Sequence, residues 1–241
     1  MAAADMVRQL RRSAPLITAG IASADLMNLA AAVLAVEQAG LRLLHFDVAD
    51  GRFCPMLTFG PAFVKGVKTR LLKDVHLMIA DPIDRLADYV QAGADLVCIN
   101  VESTPHMHRA LQALGEMQNA NDPARGILRG AVLNPGTPLE TIEPLLDQLD
   151  AVFLLAVNPG WAGQSFIPET RGRLARLKTI IEESGREILI GLDGGVTREN
   201  VAELAALGPD IIVAGAAVFK GGDPAANAKT LAAAARQGRG I

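Results

Sequence analysis

The chain has 241 residues, half of them hydrophobic, and 23 basic against 26 acidic side chains give a formal net charge of -3. That length accommodates one α/β barrel or two smaller domains, and the near-neutral balance argues against a nucleic-acid partner, which would need a basic patch or stripe. Two cysteines, Cys54 and Cys98, make neither a disulfide framework nor a CxxC zinc pattern. Both read as small buried hydrophobes that suit a reducing cytosol, so the expected location is cytoplasmic. No apolar run approaches transmembrane length, and no membrane partner is expected.

The opening MAAADMVRQLRRSAP has arginines where a secretory signal needs an apolar core. It reads as an extension over 1–15, with a short amphipathic helix lying on the body and a disordered segment both compatible with it. Strand, loop and helix then alternate. A strand is predicted over 16–20, followed by a helix over 25–40 with Asp25 as its cap. A second strand over 41–47 leads through a longer loop to a helix over 61–69. A third over 74–79 is followed by Asp81-Pro82, which reads as N-cap and first helical position of a helix ending near Gly93. Further strands are predicted over 96–101, 130–133, 151–157, 187–192 and 211–214. Their helices are expected over 104–118, 138–149, 169–184, 197–207 and 224–236.

Eight such units in this length predict a single (β/α)8 TIM barrel over 16–241. A doubly wound open sheet is the competing architecture; it usually needs fewer strands, and no GxGxxG follows the first strand. In a barrel the active site lies at the C-terminal ends of the strands.

The stretch 43–53, LLHFDVADGRF, is apolar up to Val48 except for His45 and Asp47. Residues two apart on a strand share a face, so this imidazole and carboxylate point the same way at the exit of a buried strand. Such a pair is costly to bury unless it is hydrogen-bonded, charge-paired or bound to metal. His76 lies on the third strand, and Asp193 ends the seventh in ILIGLDGGV. Asn100 and Glu102 end the fourth. Each has a structural alternative: a satisfied core histidine for His76, a turn for Asp193-Gly194-Gly195. In a closed barrel, however, two imidazoles and two carboxylates from these strands converge on one mouth. Mixed nitrogen and oxygen donors suit zinc, iron, manganese or cobalt.

Glycine-containing turns form a second feature. Trp161-Ala162-Gly163 follows the sixth strand, Gly194-Gly195 the seventh and Gly215-Ala216 the eighth. Small residues let backbone N–H groups approach an anion, and barrels often hold a phosphate in the loops after the last strands. Tight βα connections alone would also use glycine. Metal on one side of the mouth and phosphate on the other would suit a phosphorylated sugar. His106 and His108, in TPHMHRA, have no third ligand nearby and read as a solvated loop pair.

The segments HFDVADGRF, DVHLMI, NPGWAGQSF, LDGGV and IIVAGAAVF occur in this order, and together they resemble the ribulose-phosphate 3-epimerase family from about Ile17 to the last helix. The resemblance implies a (β/α)8 barrel of the ribulose-phosphate-binding type that interconverts D-ribulose 5-phosphate and D-xylulose 5-phosphate. It implies one divalent metal held by His45, Asp47, His76 and Asp193, with Asp47 and Asp193 also the two proton carriers through a metal-stabilised enediolate. The phosphate-binding positions fall on Ala162, Gly163, Gly194, Gly195, Gly215 and Ala216. Residues facing the sugar fall on Gly20, Ala49, Met78, Asn100, Leu155 and Trp161. A homo-oligomer, dimer or hexamer, is the expected assembly.

The departures cluster around the sugar. The family usually has serine at Gly20 and Ala216, methionine at Ala49 and Leu155, histidine at Asn100, asparagine at Met56 and phenylalanine at Trp161. The related allulose-6-phosphate 3-epimerases share the Ala-Gly-Gln of the sixth loop and the Phe-Ile-Pro-Glu of residues 166–169. D-Allulose 6-phosphate is therefore an alternative substrate. A Schiff-base aldolase would want a lysine at a strand end, and no predicted strand ends in one. A non-catalytic sugar-phosphate-binding barrel would be favoured by loss of one of the four donors, and all four are present.

Overall fold

Eight short strands close on themselves in the computed structural model, which describes residues 3–241. They are β1 (Leu16–Gly20), β2 (Leu43–Ala49), β3 (Leu72–Met78), β4 (Leu96–Asn100), β5 (Leu128–Leu133), β6 (Ala151–Leu155), β7 (Leu189–Asp193) and β8 (Ile211–Ala214). All pair in parallel in chain order, and β8 returns to β1. The helices are α1 (Ala3–Arg12), α2 (Leu29–Gln38), α3 (Pro61–Gly66), α4 (Leu86–Gln91), α5 (Met107–Glu116), α6 (Thr170–Glu183), α7 (Val201–Ala206), α8 (Ala216–Phe219) and α9 (Pro224–Arg239). The protein is a (β/α)8 barrel, as the sequence predicts. Among the described residues no helix is long and apolar enough to cross a membrane.

Strand alternation divides the apolar residues into two cores. Ile17, Leu44, Phe46, Val75, Val97, Val152 and Ile212 point outward and pack with the helices. The inward set begins with the first residue of every strand. Leu16, Leu43, Leu96, Leu128, Ala151, Leu189 and Ile211 form one cluster, and half-buried Leu72 packs against it. Met6, Val7 and Leu10 of α1 belong to the same cluster, so the N-terminal helix closes the bottom of the barrel. Burying each of these three side chains contributes roughly 1.5–3 kcal/mol. The helical alternative thus describes residues 3–12; Met1 and Ala2 lie outside the described residues.

One step higher, the interior is tightly shared. A Cβ on Gly191 would lie 2.2 Å from Phe153 Cδ1, and one on Gly130 would lie 2.4 Å from Cys98 Sγ. Phe153 and Gly191 are register partners on β6 and β7, so one ring fills the space of two side chains.

Several expected elements differ in detail. The second strand runs two residues further, because Val48 and Ala49 stay in register with Leu77 and Met78 of β3; Ala49 N–H also donates to Thr58 Oγ1 at 2.8 Å, and Ala49 O accepts from Thr58 N–H at 3.1 Å. The helix expected over 25–40 is a 3-10 turn, Leu26–Asn28, followed by α2; Asp25 caps the turn by accepting from Met27 N–H. Asp81 does hold the N-cap position, with Pro82 next, but of a 3-10 turn, Pro82–Arg85, and its side chain makes no capping bond: Asp81 sits at φ 52° and its carboxylate accepts from Thr104 Oγ1 instead. The helix expected over 138–149 is 3-10, Leu139–Leu145, because Pro144 has no N–H to join an α ladder.

Candidate metal and active site at the barrel mouth

The inward positions of β2 read Leu43, His45, Asp47, and those of β3 read Leu72, Asp74, His76. The strands are in parallel register, with His45 opposite Asp74 and Asp47 opposite His76. Each rung therefore pairs an imidazole with a carboxylate. Asp193 ends β7 on the far side of the mouth, next to Leu155 of β6 in register.

These residues converge. One donor atom from each of His45, Asp47, His76 and Asp193 lies within 4.8 Å of all the others. Asp47 Oδ1 is 3.2 Å from His45 Nε2 and 3.4 Å from His76 Nδ1. Asp193 Oδ2 is 3.8 Å from His45 Nε2 and 3.7 Å from His76 Nδ1. The outer ring nitrogens are held from behind: His45 Nδ1 lies 2.7 Å from Asp74 Oδ2, and His76 Nε2 lies 2.8 Å from Asn100 Oδ1. His76 Nδ1 is buried at the centre of the cluster without a hydrogen-bond partner. Leaving a buried polar atom unpaired costs about 1–3 kcal/mol, and an inward-facing imidazole lone pair beside carboxylate oxygens is a donor set that divalent transition metals fit. The residues present therefore fit the metal expected from the sequence.

The two aspartates are driven apart electrostatically. Burial disfavours the Asp47 carboxylate, but the charge of His45 and its hydrogen bond, with His76 close by, override burial and hold its pKa below the usual range. Asp193 is pushed up to about 6, first by burial and then by the negative charge of Asp47. Burial likewise opposes a charged His45, yet Asp74 and Asp47 outweigh it and raise its pKa well above the imidazole value. Near neutrality one aspartate is an ionised base, and the other is within reach of acting as an acid.

Asp47 and Asp193 open onto a cavity of about 580 Å³ that also borders Gly20, Trp161, Ala162, Gly163, Gly194, Gly195, Gly215 and Ala216. The expected carboxylates and glycine turns thus share one space. Gly194 and Gly195 follow one another at φ 103° and 66°, a conformation that favours glycine. A Cβ on Gly195 would also lie 2.6 Å from the Phe166 backbone. Gly215-Ala216 opens the short helix α8. The sixth loop is clipped by Gln164, whose amide donates to Trp161 O at 3.0 Å and accepts from Asn158 N–H at 3.1 Å. Trp161 is 53% exposed at the rim.

Other expected pocket residues are set apart from this cavity. Ala49 and Met78, register partners on β2 and β3, pack with Cys54 and the half-buried Phe53 and Met56. Asn100 stands behind His76, and Leu155 belongs to the barrel interior. His106 and His108 are exposed, in keeping with a solvated pair. Sequence reasoning missed Asp74, fully buried behind His45. Its signal was present: it precedes His76 by two on the same strand, as His45 precedes Asp47.

Comparison with known proteins places the chain in a family. The model of the ribulose-phosphate 3 epimerase family matches residues 16–219. The chloroplastic ribulose-5-phosphate-3-epimerase of Arabidopsis thaliana is 40% identical over 238 residues, covering 97% of this chain and 82% of that protein. The ribulose-phosphate 3-epimerase of Rhodobacter capsulatus is 44% identical over 211 residues, covering 86% of each. Among solved structures, KGPDC from Streptococcus mutans in complex with a pentose phosphate superposes with a TM-score of 0.71 at 15% identity, covering 92% of this chain and 98% of that one, a likeness of fold. The five sequence segments, the barrel that carries them and these relatives agree, and the chain belongs to the ribulose-phosphate 3-epimerase family of isomerases.

Proposed function

We propose that the protein inverts C3 of D-ribulose 5-phosphate to give D-xylulose 5-phosphate, using Asp47 and Asp193 as the two proton carriers. The observation that carries this reading is the pair itself. Two carboxylates face one cavity with their pKa values pushed in opposite directions, the condition for acid and base work at one pH. Asp47 takes the C3 proton from one face of the sugar. Asp193 returns a proton to the opposite face, and the reverse reaction exchanges their roles. The oxygens that approach both imidazoles are Oδ1 of Asp47 and Oδ2 of Asp193, which leaves Oδ2 and Oδ1, respectively, for proton transfer. His45, Asp47, His76 and Asp193 would hold a divalent zinc, iron, manganese or cobalt ion; when bound, it supplies the positive charge that makes a proton next to a ketone acidic enough to remove.

The glycine turns would take the phosphate. Gly163, Gly194 and Gly195 adopt positive φ beside the cavity, and consecutive turn amides of this kind make anion-binding concavities. The Streptococcus mutans barrel holds a pentose phosphate in its complex, so a ligand of that size and charge suits this scaffold.

A second substrate is favoured by Gly20. A Cβ there would meet Gly215 Cα at only 3.4 Å, ordinary contact, so glycine leaves space in the cavity that a side chain could fill. That room would suit a longer ketose phosphate such as D-allulose 6-phosphate. Metal-loaded protein incubated in D2O with each ketose phosphate, followed by NMR, separates the two. Fastest exchange of the C3 hydrogen is expected with D-ribulose 5-phosphate. Faster exchange with D-allulose 6-phosphate would reassign the substrate, and no C3 exchange with any sugar would overturn the reaction.

A further inference from the structure

The two central histidines are backed by partners of different charge. Asp74 lies directly opposite His45 in the β2–β3 register, is fully buried, and holds Nδ1 at 2.7 Å. A carboxylate oxygen can only accept there, so Nδ1 keeps its proton, and Nε2, which faces Asp47 and Asp193, would be the nitrogen that gives its lone pair to a bound metal. His76 is held differently. Its register partner on β4 is Cys98, and the contact to Nε2 comes from Asn100, two residues further along. The Asn100 amide is oriented by its nitrogen, which donates to Asn134 Oδ1 at 3.2 Å and Glu102 Oε2 at 3.4 Å. Its oxygen is thereby aimed at His76, so Nε2 carries the proton and Nδ1 is the inward lone pair, the one buried without a partner.

We propose that Asp74 and Asn100 are positioning residues that lock the two histidines in opposite tautomers, and that their difference in charge makes His45 the stronger metal donor and His76 the weaker. This rests on the metal-site reading above. A ring N–H bonded to a carboxylate gives its other nitrogen more electron density than one bonded to a neutral amide.

Two measurements on the full chain test it. The first is cobalt(II) affinity, read from visible absorption in competition with a chelator. Asp74→Asn keeps the shape but removes the charge, and should weaken binding about 10–100-fold, the usual range for partners of metal-bound histidines. The paired exchange Asn100→Asp with Glu102→Gln moves the carboxylate behind His76 while keeping an amide next to it. It should tighten binding by about tenfold, a gain that a folding defect cannot imitate. The second is 15N NMR of the histidine rings in zinc-loaded protein. His45 should be protonated at Nδ1 and His76 at Nε2.

Rings in the same tautomer, or a paired exchange that leaves affinity within about twofold of wild type, would overturn the proposal. So would an Asp74→Asn protein of native fold that binds cobalt like wild type. Failure of the wild-type chain to bind cobalt at all would refute the metal reading, and the donor ranking with it. Normal wild-type binding with unaltered variants would refute the present inference alone.

Discussion

The two ends of the barrel interior are built from the same eight strands yet obey opposite rules. At the bottom the first inward residue of each strand is apolar, and Met6, Val7 and Leu10 of α1 complete a dry plug. Two inward steps higher on β2, β3 and β7 the positions hold Asp47, His76 and Asp193, with His76 Nδ1 lacking a partner. Only about 13 Å of strand separates the two regimes, at roughly 3.3 Å per residue. The bottom can bear most of the stability because nothing there has to react. The top concentrates like charges and an unpaired lone pair, an arrangement that destabilises a fold unless another part of it compensates.

The strongest way to sharpen that contrast is to neutralise the top. Asp47→Asn and Asp193→Asn should each reduce turnover about 10²–10⁴-fold, the usual worth of a positioned acid or base. Each variant should still exchange solvent deuterium into one epimer, because the remaining carboxylate can remove and return a proton on its own face. Metal content has to be matched before rates are compared, since both residues also stand in the donor cluster. A fully metallated Asp193→Asn protein that interconverts the epimers at near wild-type rate would end the two-carrier mechanism.

The matching change at the bottom is Leu10→Ala. Leu10 is almost completely buried in the plug, and truncating such a residue costs about 2–5 kcal/mol. Urea unfolding should show that loss, while kcat of the folded enzyme stays at the wild-type value. A large fall in kcat without a change in stability would mean that the two ends are not separable.

A smaller effect is expected at the phosphate turns. Ala216 lines the cavity and is exposed to it. Ala216→Ser adds a hydroxyl donor, and a hydrogen bond to a charged group is worth roughly 1.5–3 kcal/mol. KM for the sugar phosphate should fall about tenfold or more; an unchanged KM would remove Ala216 from the phosphate site.

A comparable effect is a pH signature of the chelated protein. Asp193 has a folded pKa of about 6 against an ordinary value of 3.8. Between those values the folded state holds the proton more tightly than the unfolded state, so this residue's contribution to stability declines as pH rises through that window and stays low above it. Asp193→Asn removes that decline. The variant should gain stability relative to wild type from about pH 4 to about pH 7 in chelator, as measured by thermal melts. A stability difference that stays flat with pH would contradict the raised pKa.

The barrel and its donor cluster were legible because they depend on local periodicity. Apolar runs of the right length, each ending at a polar residue or a turn, located all eight strands, and spacing by two placed His45 and Asp47 on one face. What escaped depends on contacts between distant segments. Asp74 reads as another strand residue until parallel register sets it across from His45. Asp81 before a proline takes the cap position the sequence suggests, but Thr104, far along the chain, holds its carboxylate in place of a helix N–H. Ala49 and Met78 fall at the sugar in the family pattern, and their packing with the loop residues Phe53 and Cys54 is visible only in the fold. The extra residues of β2 arise from pairing with Leu77 and Met78 of β3, which the periodicity of β2 alone does not announce.

The shared space between Phe153 and Gly191 sets how these positions can diverge. Any side chain at 191 would begin 2.2 Å from the phenyl ring. Neither position is free to drift alone: a larger residue at 191 is tolerated only once 153 has become smaller. Scanning one site at a time should therefore find position 191 closed to everything but glycine. A library that varies both together should recover exchanged pairs, with the bulk carried by β7 and the gap left on β6.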